Sequence, residues 1–432
     1  MLAEKESDHY FAPASSLKIF TAVSALKILG KDFQFKTDIF FNAKAINHGV
    51  LKGDVNLVFS GDPLLKIADV QSLLMTLKNH GVHQIDGRIL LIANAFDDKP
   101  YGSGWPWDQL HICYSGPVNT INLDANCFLF HVFSTKIDQA LNLPASVDCS
   151  QRSAGRPCVL NKAVTRDDPN CILTFDHEGN AYRLSGCLSP KVKSERMKLS
   201  IPDTALYLKT WLSEELRDMG IRLNGKILMG QEHPHGIPVA THSSYPLKKL
   251  VRVMLKYSDD LVANALFKAA GAHYYHAQGT WQRGINAEKA VLKESVGFSP
   301  ESLFIFDGSG ESYYNAVTPQ QMVKVLMYIH NNRELADIII PGLPVNGTDG
   351  TLVARLKDYP AIVHAKTGTW RDVSSLSGYV LNHHTRWVFA VFVHGMTTVE
   401  RGDAHQVDAW MRKVLPLTPH TTKHSATSGK PQ

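Results

Sequence analysis

All six cysteines of this chain fall between Cys113 and Cys187, and none lies outside that window. An even, clustered set suits disulfides closed in an oxidising compartment, and it leaves the pairing open. Scattered buried thiols are the plainer alternative. A zinc site is weaker, because no C-x2-C or H-x3-H pair accompanies the cysteines. Covalent staples confined to the middle imply that the middle folds as its own unit. With 432 residues the chain exceeds one compact core, and two or three domains are expected. Hydrophobic residues at 44% and charged residues at 20% exclude a low-complexity, disordered chain. The net charge of +5 is mild and no dense Lys/Arg tract occurs, so nothing argues for nucleic acid. No apolar run is long enough for a transmembrane helix. Met1 to Tyr10 is polar and lacks the basic stretch, apolar core and cleavage site of a secretory signal. The chain therefore reads as cytoplasmic, or as the mature or truncated form of an exported protein, and the cysteines favour export.

The texture changes along the chain. Residues 14 to 29 read as a helix, with Ile19, Val23 and Leu26 at helical spacing, Pro13 at the entrance and Gly30 at the end. From Phe33 to about Leu65 short alternating runs with Gly and Asn turns read as strands. A helix is expected over 67 to 80, a strand near 87 to 93, and irregular β structure over 100 to 190. Residues 204 to 219 form an amphipathic helical pattern, and more helices follow between 246 and 335. Two strands flanking His383-His384-Thr385 read as an antiparallel hairpin. The tail from Thr418 is polar and reads as disordered. The economical arrangement is one α/β domain built from both ends and interrupted by a large insertion.

Three short patterns carry chemistry. Ser15-Ser16-Leu17-Lys18 is S-x-x-K, which on a helix places Ser15 and Lys18 one turn apart on one face. An uncharged Lys there can take the Ser hydroxyl proton, and a helix N-terminus favours the developing anion. Ser24-Ala25-Leu26-Lys27 repeats the pattern in mid-helix, so position favours Ser15. Helix capping is the plainer role for Ser15. Ser258-Asp259-Asp260 precedes a helical stretch and by itself is a capping sequence. Lys366-Thr367-Gly368-Thr369 ends the apolar run Ala361 to His364. A strand there can pair with an extended peptide, with Lys366 as positive charge and Gly368 admitting a close backbone. His233-Pro234-His235 and His383-His384 resemble metal pairs but sit in apparent loops without an acidic partner, which favours surface loops.

In order, these patterns match the S-x-x-K, S-D-N and K-T-G set of penicillin-recognising serine enzymes. The chain resembles the D-alanyl-D-alanine carboxypeptidase/endopeptidases, class C low-molecular-mass penicillin-binding proteins of the penicillin-binding protein 4 type. Residues 13–26, 59–63, 81–91, 104–117, 306–310, 343–352 and 364–380 carry the likeness over nearly the whole chain. The resemblance implies a multidomain α/β protein. Its catalytic domain would be β-lactamase-like, an antiparallel sheet flanked by helices, with two inserted β-rich domains. The expected division is 1–36 with 205–417 as the catalytic domain, 37–66 with 135–204 as domain II, 67–134 as domain III, and 418–432 as a tail. It also implies a periplasmic or cell-wall setting. Only 14 residues precede Ser15, fewer than is usual there, so an incomplete outer sheet is expected.

By the same resemblance, Ser15 is the nucleophile toward D-Ala-D-Ala or D-Ala-diaminopimelate bonds of peptidoglycan peptides, and toward β-lactams. Lys18 is its base, Ser258 relays a proton to the leaving amine, and Lys366 keeps Lys18 uncharged. Lys366, Thr367 and Thr369 anchor the substrate carboxylate, Gly368 and Asp260 line its site, and Asp108 reads a diaminopimelate amino group. The backbone N–H groups of Ser15 and Thr369 form the oxyanion hole. No metal or organic cofactor and no nucleic acid is implied, and a homodimer is one assembly to expect. Two departures stand out. Asp260 replaces the usual Asn, and an ionised Asp cannot donate a hydrogen bond and stabilises a charged lysine. Glu311-Ser312-Tyr313 replaces Leu-Ser-Arg, which removes the arginine expected to meet a diaminopimelate carboxylate. Gln109 also competes with Asp108 for its register. The alternative expectation is therefore a catalytically weakened, peptidoglycan-binding scaffold. A β-lactamase is disfavoured by the insertion and by the want of an evident deacylating Glu.

Overall fold

The computed structural model describes residues 3–414, apart from Ser153, Ala361, Arg371, 383–385 and 396–403. The hairpin turn at 383–385 and the tail from 418 thus lie outside the described residues. Residues 14–29 do not form one uniform helix. Ala14–Leu17 is a 3-10 turn that runs directly into helix α1, Lys18–Leu29, and Gly30 at φ 79° closes it. Helix α1 is buried on all faces from Lys18 through Leu26, the signature of a central core helix.

Two helices belong to the insertion: α2, Ile67–Asn79, and α3, Thr204–Asp218. They cover a five-stranded sheet of order 227–230, 89–92, 55–59, 36–40 and 240–243. Its three strands 55–59, 89–92 and 227–230 run parallel, 36–40 is antiparallel to 55–59, and 240–243 is antiparallel to 36–40. Parallel neighbours need crossovers, which α2 and the excursion from 93 to 226 provide. The shared core takes Leu57, Leu74, Leu91, Leu208 and Leu212. A separate core gathers Phe130, Val132, Val159, Tyr182 and Leu184, around strand pairs such as Cys127–Phe133 with Ser194–Ser200. The domain division expected from sequence is corrected here. Its boundary at 66/67 cuts the core that α2 and the strand at 89–92 share with 55–59. Its boundary at 134/135 parts the two strands of that pair, 127–133 and 194–200, from one another.

All three disulfides lie within this middle region: Cys113–Cys127, Cys149–Cys158 and Cys171–Cys187. No helix among the described residues is long and apolar enough to cross a membrane.

The remaining elements return to α1. They are α4, Leu247–Tyr257; α5, Asp260–Tyr275; α6, Trp281–Val296; α7, Pro319–Asn331; α8, Arg333–Gly342; and α9, Ala404–Val414. One large core joins Ile19, Phe20 and Val23 of α1 to Leu250, Leu266, Leu292 and Leu326. The antiparallel sheet of 363–370, 373–381 and 386–394 closes one side. The Ala14 turn is wedged between that sheet and the loop at 308–310.

Candidate active site

Four segments meet at one point. The 3-10 turn supplies Ser15, whose hydroxyl accepts a hydrogen bond from Lys18 Nζ at 2.9 Å. No side-chain cap bond forms at this turn, so Ser15 is not a capping serine. Lys18 is fully buried. Its ammonium hydrogens are spent on three partners: Ser15 Oγ, Asp260 Oδ1 at 2.5 Å and the Ser309 carbonyl at 2.8 Å.

The second segment is the corner between α4 and α5. Ser258 takes a left-handed conformation, φ 60°, costly for a residue with a Cβ and characteristic of functional sites. Asp259 caps α5 by accepting from the Val262 N–H at 2.9 Å. The corner therefore presents Ser258 and Asp260 to the site while Asp259 holds the helix.

The third segment is the strand Val363–Trp370. Lys366 is fully buried and donates to Ser258 Oγ at 2.8 Å and to the Thr367 carbonyl at 2.7 Å. Burial, and then the charge of Lys18, hold its ammonium well below the ordinary lysine range. Asp260 is pulled both ways: burial raises its carboxyl most, while Lys18 opposes the rise, and the net direction is upward. Thr367 and Thr351 share a hydroxyl–hydroxyl bond of 2.7 Å. Gly368 has a role that differs from the expected one. A Cβ there would lie 2.3 Å from Ser375 Oγ and 2.6 Å from the Pro13 carbonyl oxygen. The space Gly368 vacates is filled by Ser375 and the turn that precedes Ser15.

The fourth segment, 307–315, was quoted in sequence only as a likeness. Buried Asp307 accepts from Trp105 Nε1 at 2.8 Å, from the Gly310 and Ser312 N–H groups at 2.8 and 2.7 Å, and from Asn315 Nδ2 at 3.0 Å. That network aims the Ser309 carbonyl at Lys18. It also presses Gly310 on the turn, where a Cβ would come within 1.9 Å of the Ala14 carbonyl oxygen. Sequence reasoning missed Asp307, Ser309, Glu311 and Ser375. The D-G-S-G spacing was the available signal for the first two.

Asp108 does not join the Ser15 cluster. It is exposed on a short 3-10 turn, 107–109, and lines a neighbouring cavity of about 380 Å³ with Trp107, Gln109, Tyr313 and Tyr314. Tyr114 donates to Gln109 Oε1 at 2.7 Å. Burial, then the acids Glu311 and Asp260, push its phenol up to about 12. Tyr313 meets Trp370 edge to face at 4.1 Å. The recess is aromatic and mildly acidic. Thr369 is exposed at the strand's end beside Trp370. Of the histidine pairs, His233 and His235 are exposed, and His383-His384 lies outside the described residues.

Comparison with known proteins gives a consistent result. The family model for D-Ala-D-Ala carboxypeptidase 3 (S13) matches residues 1–414. The chain is 33% identical over 408 residues, 92% of this chain and 83% of the relative, to the D-alanyl-D-alanine carboxypeptidase DacB of Haemophilus influenzae. It is 27% identical to a D-alanyl-D-alanine carboxypeptidase of Actinomadura sp. (strain R39), over 91% of this chain and 75% of that one. The crystal structure of penicillin binding protein 4 (dacB) from Haemophilus influenzae superposes with a TM-score of 0.83 at 32% identity, covering 92% of this chain and 88% of that chain. The same protein complexed with a novel β-lactam gives 0.78 at 31% identity, over 92% and 87%.

Proposed function

This chain belongs to the D-Ala-D-Ala carboxypeptidase S13 family and has its penicillin-recognising fold, and from that premise we propose a serine mechanism acting on D-Ala-terminated peptidoglycan peptides in the periplasm. The observation that carries the proposal is the pair of converging contacts, Lys18 Nζ to Ser15 Oγ at 2.9 Å and Lys366 Nζ to Ser258 Oγ at 2.8 Å. Each lysine faces one serine, and both are buried where charge counts most.

Ser15 Oγ attacks the D-Ala carbonyl while Lys18 takes its proton. Lys18 can do so only as an amine, and the geometry suggests where its own proton goes. Asp260 lies 2.5 Å away and its carboxyl is raised by burial. With the proton on Asp260, Lys18 is an amine, and the carboxyl O–H donates to substrate as the usual Asn amide would. Ser258, with Lys366 behind it, hands a proton to the departing amine. The Ser15 and Thr369 N–H groups receive the oxyanion, and Thr367 and Thr369 orient the substrate carboxylate. Water then releases the acyl group. The recess around Tyr313, Trp107 and Asp108 takes the substrate side chain; with no arginine among its described lining residues, it disfavours a free diaminopimelate carboxylate. Cleavage of D-Ala-diaminopimelate cross-links belongs to the same proposal. Three disulfides support the oxidising compartment.

Intact-protein mass spectrometry after incubation with benzylpenicillin tests this. A penicilloyl adduct on the native chain, absent from Ser15→Ala, is expected. A folded native protein that neither gains the adduct nor opens the β-lactam ring refutes the nucleophile and leaves the scaffold reading, which the short Lys18–Asp260 contact favours.

A further inference from the structure

The acylation chemistry leaves one buried acid of the 307–315 segment unused. Glu311 follows Gly310, the residue pressed on the Ala14–Ser15 turn, and it is only 5% exposed. Its own N–H donates to Ser309 Oγ at 3.3 Å, and the Ser309 carbonyl holds Lys18. Both Glu311 carboxyl oxygens are buried without a hydrogen bond of ordinary geometry, and so is the Ser115 hydroxyl. A buried carboxyl so weakly held costs free energy and adds nothing to the packing that a leucine of similar size would not supply.

We propose that Glu311 is the base that activates water to release the acyl group from Ser15, which makes the protein a hydrolase of penicillin-type β-lactams as well as a peptidase. The proposal rests on the Ser15 acyl-enzyme put forward above. Burial and then the neighbouring Asp260 hold the carboxyl well above its ordinary range, while the Ser115 hydroxyl and Lys18 pull it down and Asp307 pushes it up. Tyr114 shares the same field. A general base works best when poised toward the operating pH rather than as a strong acid.

The step balances as follows. The Glu311 carboxylate takes one proton from water, and the water oxygen bonds to the acyl carbon. The carbon–Oγ bond to Ser15 breaks, and the Lys18 ammonium returns a proton to Oγ. Lys18 is thereby an amine again, and the proton on Glu311 passes to the Ser258–Lys366 pair, which had given one to the leaving amine. Free acid leaves, and the site is restored.

The test compares native protein, Glu311→Gln and Ser115→Ala with benzylpenicillin, following both the adduct mass and β-lactam absorbance. Glu311→Gln should lengthen adduct lifetime at least tenfold, within the range of general-base effects, while acylation stays within about threefold. Native release should accelerate as pH rises through the raised carboxyl range, and this dependence should vanish in Glu311→Gln. Ser115→Ala keeps the carboxyl but removes a hydroxyl that favours its charged form, so its release profile should move to higher pH. Equal adduct lifetimes in native and Glu311→Gln, or an unmoved profile in Ser115→Ala, overturn the proposal while Ser15 stands. Absence of both adduct and ring opening in native and Glu311→Gln overturns the acyl-enzyme as well.

Discussion

Asp260→Asn should acylate faster than the native chain. The Lys18–Asp260 contact is 2.5 Å, at which two unit charges attract by about 6–7 kcal/mol at an effective dielectric near 20. Taking both ions out of water offsets much of that attraction, and Lys18 is fully buried while Asp260 keeps only 16% of its side-chain surface. A residual preference of about 2 kcal/mol for the ion pair is about thirtyfold in acylation rate. Asparagine removes that preference and still donates to substrate. The assay is the pseudo-first-order acylation rate with benzylpenicillin from pH 5 to 10. The variant should be about ten- to a hundredfold faster near pH 7 and should converge on the native rate at high pH. An equal or slower variant across the range refutes the reasoning, because the carboxylate would then not restrain Lys18.

Four further outcomes are expected. Gly368→Ala forces a methyl against Ser375 Oγ and the Pro13 carbonyl, so it should cost about 1–3 kcal/mol and slow acylation more than tenfold, measured by melting and adduct formation. Replacing Cys149 and Cys158 by Ala opens a link of sequence separation 9, and should remove about 2–3 kcal/mol from the middle unit while leaving acylation intact. Tyr313→Arg should raise kcat/KM selectively for peptides with a free diaminopimelate carboxylate, relative to amidated ones. Glu288 is fully buried and burial raises its carboxyl well above 4.5. Its folded state binds a proton that the unfolded chain releases, so stability falls as pH rises above 4.5. Glu288→Gln should therefore gain stability over native between pH 4.5 and 8 in denaturant titrations.

The contact between Ser15 and Lys18 was legible because helical spacing alone puts them on one face. The competing Ser24 is the seventh residue of α1 and is buried, whereas Lys27 is exposed. The interrupted-domain plan was legible too, from texture and from the cysteine window. Other features depend on tertiary approach that no local pattern encodes. Strand 89–92 pairs in parallel with 55–59 across α2, so nothing local assigns 67–92 to the same core. Gly368 looked like a substrate-facing glycine, since only the assembled turn shows Pro13 and Ala14 standing over it. Glu311 stood in the sequence only as a departure from Leu-Ser-Arg, because burial of a lone charged residue is a property of its neighbours. The disulfides pair consecutive cysteines, which composition could not select among the alternatives.

The Ala14 turn is clasped between Gly310 and Gly368, segments separated from it by most of the chain. That clasp has a consequence for biogenesis. Helix α1 emerges early in synthesis, yet the seat of its serine is completed only when the strand ending at Trp370 and the Ser375 hydroxyl, which donates to the Pro13 carbonyl at 2.7 Å, have arrived. Contacts of such long sequence separation form late. A chain that has not yet reached Ser375 therefore lacks the contacts that seat Ser15, and on the serine mechanism proposed above it should not be acylated.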